Sequence, residues 1–391
     1  MKAGWNLREI GEAFQTVTGN TPSKSAAHFY GQDIPLVKPP ELTDGDVSSA
    51  SDGLTESGAA VARVAPEGSV LVSCIGNLGK IGLATRPLAF NQQINAIYPD
   101  PSLALPRFTF YQTLSPQFRE QLDALAAGTT VSIVNKSRFN SIKVHLPPLE
   151  EQERIVAVLD DAFEGLTRAR AHAEANLQNA RELFETSLSD ALNKSATEWE
   201  VLPVGDAFTT STGSTPPKGQ KELYGDAVSF VKPPELLNQE IGETADGLSK
   251  KGGQVARIAP AGSVLVSCIG ILGKVGLAIT DVAFNQQINS IQPNRSKALP
   301  EFMFYQAYSS SFRRQLEALA GGTTVPIVNK SRFNSIKIAL PPLDVQRNLV
   351  SRFLQIDQEA KKLQGAYRCK LQDLDDLRQS LLQKAFAGEL T

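Results

Sequence analysis

Residues 146–163 read LPPLEEQERIVAVLDDAF, and the run continues to ETSLSDAL at 185–192 with no proline after Pro148. Apolar or small residues recur along it at spacings of three and four: Val156, Leu159, Phe163, Leu166, Ala173, Leu177, Ala180 and Phe184. The one polar member of the series is Arg170. Such spacing predicts a long helix with a single apolar seam. Pro147 and Pro148 stand before it, where proline is tolerated. At about 1.5 Å per residue the helix spans roughly 60 Å, too long for one small core to cover. A partner is present in the same chain. Residues 343–386 carry Leu349, Phe353, Ile356, Ala360, Leu363, Tyr367, Leu371, Leu374, Leu377 and Leu381 at similar spacing. Two helices packed as an antiparallel coiled coil are expected; the alternative is two surface helices of separate domains.

Each helix closes a copy of one design. Residues 1–192 and 195–386 align at a constant offset of 194 with no gap. Trp5 matches Trp199, GNTP at Gly19 matches GSTP at Gly213, and VKPPEL at Val37 recurs at Val231. GSVLVSCIGNLGK at Gly68 matches GSVLVSCIGILGK at Gly262, and AFNQQIN at Ala89 recurs at Ala283. TTVSIVNKSRFNSIK at Thr129 matches TTVPIVNKSRFNSIK at Thr323, and LPPL at Leu146 recurs at Leu340. A period of this kind defines the architecture before any local reading. It divides the chain into globular parts at 1–148 and 195–342 and long helices at 149–194 and 343–391.

Composition fits ordinary globular domains, with 41% hydrophobic and 20% charged residues in 391. No apolar run approaches membrane-spanning length, and MKAGWNLREIGEAF lacks the apolar centre of a signal peptide. A cytoplasmic protein without membrane contact is expected. Three cysteines supply neither a disulfide framework nor a zinc set; Cys74 and Cys268 lie in the apolar run VLVSCIG and are expected to be buried thiols. The net charge of −2 is unevenly spread. Glu150–Leu192 holds ten acidic and four basic residues, a balance of −6, which leaves +4 for the rest. An acidic helix repels a phosphate backbone, so its outer face, with Glu150, Glu151 and Glu153, suits a protein partner.

Within one globular part, GNTP reads as a turn and IPLVKPPEL as an extended run stopped by prolines. GSVLVSCIGNLGKIGLA reads as a hairpin around a glycine-rich turn. AFNQQINAIYP reads as a strand with an unusual block of amides, Phe108–Leu125 as helical with a new start at Ser115–Pro116, and VSIV and SIKVHL as strands. Strands dominate with a few helices, so an α/β, mixed α+β, fold is expected.

The sequence offers no catalytic constellation. His28, His145 and His172 are replaced by Glu222, Ala339 and Ala366 in the other copy, so a duplicated histidine-based site is excluded. Gly76, Gly79 and Lys80 lack the spacing and the Ser or Thr of a nucleotide-binding phosphate loop; Ile81 follows the lysine. VKPPEL lacks the Asn or Asp and the aromatic residue of the amino-methyltransferase motif. What both copies do present is a set of hydrogen-bond donors. The first copy has Lys24, Lys38, Asn77, Lys80, Asn91, Gln92, Gln93, Asn95, Thr129, Thr130, Asn135, Lys136, Ser137 and Arg138. The second has Lys218, Lys232, Lys274, Asn285, Gln286, Gln287, Thr323, Thr324, Asn329, Lys330 and Arg332. Amides match adenine, Arg and Lys match guanine, and Lys and Thr hold phosphates. The same Asn and Ser residues also suit turn and helix caps.

The tandem order of SCIGNLGKIGLA, FNQQINAI, GTTVSIVNKSRFNSIKVHLPPLEEQERIV and the terminal SLLQKAFAGEL resembles the specificity subunits of type I restriction–modification systems. The resemblance covers essentially the whole chain. It implies two DNA target-recognition domains, each reading half of an interrupted site on double-stranded DNA, and two helices that separate them. It further implies docking of two modification (adenine methyltransferase) subunits, which bind S-adenosylmethionine, and of restriction motor-nuclease subunits; this chain itself needs no cofactor or metal and is not an enzyme. The two copies here are more alike than is usual in the family, and an antiparallel helix pair relates them by an approximate two-fold axis, so a nearly palindromic site is expected. A stand-alone DNA-binding regulator with a coiled-coil spacer is the alternative, and a methyltransferase fused to its own reader comes third.

Overall fold

A computed structural model describes residues 4–127, 131–194, 199–322 and 324–390. Two compact units form, and they cut across the repeats: Met1–Ala173 with Cys369–Thr391, and Glu174–Arg368. The reason is the helix pairing. Each unit holds one globular part, part of the helix that follows it and part of the other long helix.

Among the described residues of unit 1, five strands form a mixed sheet in the order Gln15–Thr18, Ile94–Tyr98, Val70–Ser73, Ile81–Ala84, Gly45–Val47. Its central strands are buried on both faces, which is why VLVS and IGLA are continuous apolar runs. A second sheet has the order Asp52–Leu54, Tyr30–Val37, Leu88–Phe90, Val64–Ala65, and Asn6–Glu9 pairs with Lys143–Leu146. Helices Pro106–Leu114 and Pro116–Ala124 are split at Ser115, whose hydroxyl caps the second by accepting from the Phe118 amide. Unit 2 repeats this topology, from Glu200–Pro203 to Lys337–Leu340. The fold is thus mixed α/β, as the alternation of runs implies.

The long helices run Leu149–Lys194 and Leu343–Ala387. In unit 1, Ile155 and Leu159 of the first and Leu382, Ala385 and Phe386 of the second close the core over Phe108 and Tyr111. Phe386 sets its ring edge-on to Phe108 at 5.3 Å. In unit 2, Phe184, Leu188 and Leu192 close the core together with Val350, Phe353 and Ala360. Within unit 1 the directions oppose: Arg170 pairs with Asp375, while Phe163, one to two turns earlier, lies under the Arg378 guanidinium at 5.3 Å. The polar member of the predicted seam is therefore an inter-helix ion pair.

The seam differs in detail from its periodic reading. Ile155, not Val156, is fully buried, and Leu363 and Leu377 face outward. A helix of 3.6 residues per turn drifts from a 3.5-residue repeat, so no straight series stays buried end to end. The run VSIVNKSRF, expected to form a short strand, does not: Ile133 makes only isolated bridges to Ile75 and Ala127, and Lys136–Asn140 form a helix capped by the Asn135 side chain. Leu88–Phe90 joins the second sheet, parallel to Leu36–Val37, a pairing of distant residues that local pattern does not show.

Candidate nucleic-acid interface

Three repeated motifs meet at one strand end. The Cys74 amide donates to the Gln93 carbonyl (2.7 Å), the Val134 amide donates to the Cys74 carbonyl (2.9 Å), and the Gly76 amide donates to the Ser132 carbonyl (2.9 Å). SCIGNLGK, FNQQIN and VSIVNKSRF are thereby fixed side by side. Unit 2 makes the same three bonds: Cys268 to Gln287 (2.8 Å), Val328 to Cys268 (2.9 Å) and Gly270 to Pro326 (3.0 Å). The glycine-rich turn is a rigid hairpin tip. Ser73 Oγ donates to the Asn77 carbonyl (2.6 Å) and accepts from the Lys80 amide (2.9 Å). Gly76 and Gly79 have φ of 80° and 69°, values that favour glycine. Burial pushes the Cys74 and Cys268 thiols up to about 12, so both stay protonated core groups.

The remaining motifs join the same cluster. The Gly19 amide donates to Ile94 O, Asn20 to Phe90 O and Asn91 to Val37 O, each at 3.0 Å. A Cβ on Gly19 would lie 2.2 Å from the Asn91 carbonyl oxygen, and one on Gly213 would lie 2.2 Å from that of Asn285. Only glycine fits this approach, which explains its presence in both copies.

The candidate donors separate into two groups. Several are engaged in the fold. Asn91 is buried; it accepts from the Gln93 amide (3.1 Å) and donates to Gln93 Oε1 (2.9 Å), and Asn285 does the same with Gln287. Asn95 is buried and accepts from Thr18 Oγ1 (2.6 Å). Asn135 and Asn329 accept from the amides of Arg138 and Arg332, each at 2.9 Å, as helix caps. Lys38 and Lys232 pair with Asp52 and Asp246. That pairing, through a hydrogen bond and through charge, lowers the Asp52 carboxyl below its ordinary range. Arg138 and Arg332 donate to the carbonyls of Leu125 and Leu319, each at 3.2 Å.

Others point outward from the cluster. Lys24, Asn77, Gln92, Lys136 and Ser137 in unit 1, and Lys218, Gln286, Thr324 and Lys330 in unit 2, are exposed; Lys80 and Lys274 are half-buried. Gln92 accepts from Thr21 (3.0 Å) and Gln286 from Thr215 (2.6 Å), which orients both amides. Thr129, Thr130 and Thr323 lie outside the described residues.

Two pairs of cations belong beside these candidates. Arg63 and Arg257 are exposed and donate to the carbonyls of Thr18 and Thr212 next to the GNTP and GSTP turns. Arg119 donates to Leu78 O (3.3 Å) under the hairpin tip, and Arg313 occupies the same place beneath Gly273. The repeat itself signals them, since VAR and FR recur at the same offset. On the helices, Glu151 is buried, so the acidic outer face there consists of Glu150 and Glu153. Among the described residues no group of three His, Cys, Asp or Glu side chains could hold a metal, and no helix is long and apolar enough to cross a membrane.

A duplicated, donor-rich turn cluster on a mixed sheet, closed by paired long helices, is the arrangement of one class of DNA-reading proteins. The chain belongs to the family of type I restriction modification DNA specificity domains, which it matches over residues 2–176 and again over 196–366. It is a DNA specificity subunit, the non-catalytic component of a type I restriction–modification enzyme. The HindI specificity subunit of Haemophilus influenzae is 35% identical over 200 residues, which cover 49% of this chain and 42% of that one. The MjaIX specificity subunit of Methanocaldococcus jannaschii is 22% identical over 414 residues, 99% of this chain and 93% of that one. The fold is similar to a chain solved for the assembly and conformational transition of a type I system (TM-score 0.83, 22% identity, 100% and 99% covered). It is also similar to the HsdS subunit of Thermoanaerobacter tengcongensis (TM-score 0.61, 21% identity, 100% and 98% covered).

Proposed function

We propose that the turn clusters of the two units read the two halves of one interrupted, nearly palindromic site on double-stranded DNA. Residues 1–148 and 195–342 act as the recognition domains, and 149–194 and 343–391 as the spacer between them. The observation that carries this reading is the exact repetition of the cluster's hydrogen bonds around Cys74 and Cys268. Lys24, Lys80, Lys136, Arg63 and their equivalents meet phosphates, while Asn77, Gln92 and Gln286 meet base edges. Sequencing methylated adenines in a host that carries the complete system tests it. An interrupted motif with related, inverted halves is expected, and two unrelated halves would refute it.

Two modification subunits, which bring S-adenosylmethionine, dock on the outer faces of the helices, and restriction subunits join them for cleavage. The acidic face with Glu150 and Glu153 supports this. Reversing both charges should weaken assembly in light scattering while leaving the fold intact. Unchanged assembly would move the docking surface elsewhere.

A further inference from the structure

Across SCIGNLGK, FNQQIN and VSIVNKSRF the two copies differ at two positions, Asn77 against Ile271 and Ser132 against Pro326. They lie far apart in sequence, yet the fold sets them against each other. Ile75 bridges Ile133, the Gly76 amide bonds to Ser132 O, and Asn77 and Ser132 line one surface depression. Ile269 bridges Ile327 and Gly270 bonds to Pro326 O, so Ile271 directly follows the residue bonded to Pro326. Both differences act in one chemical direction. Asn77 and Ser132 offer a side-chain amide and a hydroxyl; Ile271 and Pro326 have no polar side chain, and Pro326 also lacks the backbone N–H that Ser132 has. In unit 2 the tip is an aliphatic cluster, with Ile271 66%, Val325 45% and Ile327 43% exposed. No core contact accounts for an isoleucine so open, and its turn ends at Lys274 with Arg313 beneath Gly273, positive charge suited to a polyanion.

We propose that residues 77 and 271, each with its neighbour across the turn, set the base preference at one position of each half-site. This rests on the reading of the two units as half-site readers. Unit 2 packs Ile271 and its aliphatic neighbours on the 5-methyl group of a thymine in the major groove. Unit 1 reads the equivalent position through hydrogen bonds from Asn77 and does not depend on that methyl.

The test uses the full chain assembled with its modification subunits and duplexes carrying the site found by methylome sequencing. Each thymine is replaced singly by deoxyuridine, which removes only the methyl. One thymine in the half bound by unit 2 should lose affinity by about fourfold, the worth of one buried methyl. Its counterpart in the other half should lose nothing. The exchange I271N with P326S should abolish that sensitivity, and N77I with S132P should create it in the other half. Each exchange installs a loop that the other copy already folds, and the deoxyuridine series needs no variant. If no thymine responds, or if the response survives I271N with P326S, the inference is wrong while the half-site reading stands. Unrelated half-sites in the wild type would instead remove that reading and this inference with it.

Discussion

In unit 1 the cleft between the globular part and the helices is polar. Arg107 reaches Asp46 (2.5 Å) and Asp160 (3.2 Å), Tyr111 donates to Asp160, and the Arg107 guanidinium lies over the Tyr111 ring at 5.2 Å. In unit 2 the same backbone carries Glu301 for Arg107, Leu354 for Asp160 and Phe184 for Arg378. There Phe184 stacks on Tyr308 at 5.6 Å and Phe353 meets Tyr305 edge-on at 5.2 Å. Bulk is redistributed as well: Leu159 and Phe386 in unit 1 stand where unit 2 has Phe353 and Leu192. The turn clusters of the units are nearly identical, whereas their helix seams are not. A loop that must present the same donors tolerates little change. A seam need only fill its volume and pair its charges, and many side-chain sets do that.

The largest effect should fall on the seams, and on one unit at a time. Phe386→Ala removes a buried ring from unit 1 and should destabilise it by about 3–5 kcal/mol. Hydrogen exchange should then rise in residues 106–124 and stay unchanged in residues 300–318. Phe353→Ala should give the mirror result in unit 2. Equal loss of protection in both units would mean that the seams do not stabilise separate bodies.

A shared device should instead respond alike in both units. Gln152 is fully buried; its amide donates to Leu103 O (2.9 Å) and Pro147 O (2.8 Å) and accepts from the Leu105 amide (2.9 Å). Gln346 makes the same bonds to Lys297 O, Pro341 O and the Leu299 amide. These glutamines tie the first turn of each helix to its globular part. Substitution by alanine leaves buried backbone groups unpaired, at about 1–3 kcal/mol for each. Chemical denaturation should report similar losses for Gln152→Ala and Gln346→Ala; a large difference between them would show that the helix roots are not equivalent.

What the sequence made legible was local or repeated. The 194-residue offset, the two helices, the split at Ser115 and the buried thiols rest on periodicity, capping chemistry and identity between copies. Gln152 was not legible, because a search for apolar spacing passes over a polar residue that is buried to satisfy backbone. Nor was the part of Leu382, Ala385 and Phe386 in closing unit 1, since their partners lie more than 200 positions away. Asn91, Asn135 and Lys38 read by composition as candidate DNA contacts. That their side chains also bond to their own turns or to Asp52 is visible only in the geometry of the fold.

The smallest effect concerns an ion pair between the helices of unit 1 that unit 2 does not share. Arg170 and Asp375 pair across the helices of unit 1, where their side chains are 45% and 52% exposed. The equivalent positions of unit 2 hold Gln364 and Arg181, which cannot form such a pair. Solvent screens an exposed pair, and two long side chains lose rotamer freedom in making it, so the coupling should be about 0.2–1 kcal/mol. A double-mutant cycle with Arg170→Gln and Asp375→Asn measures it. Because the Debye length falls to about 3 Å at 1 M salt, the coupling should shrink there. The same cycle on Gln364→Ala and Arg181→Ala should show no salt-dependent term. A coupling well above 1 kcal/mol that is insensitive to salt would mean that the pair fixes the register of the helices in unit 1, which unit 2 must then secure through the rings of Phe184, Tyr305 and Tyr308.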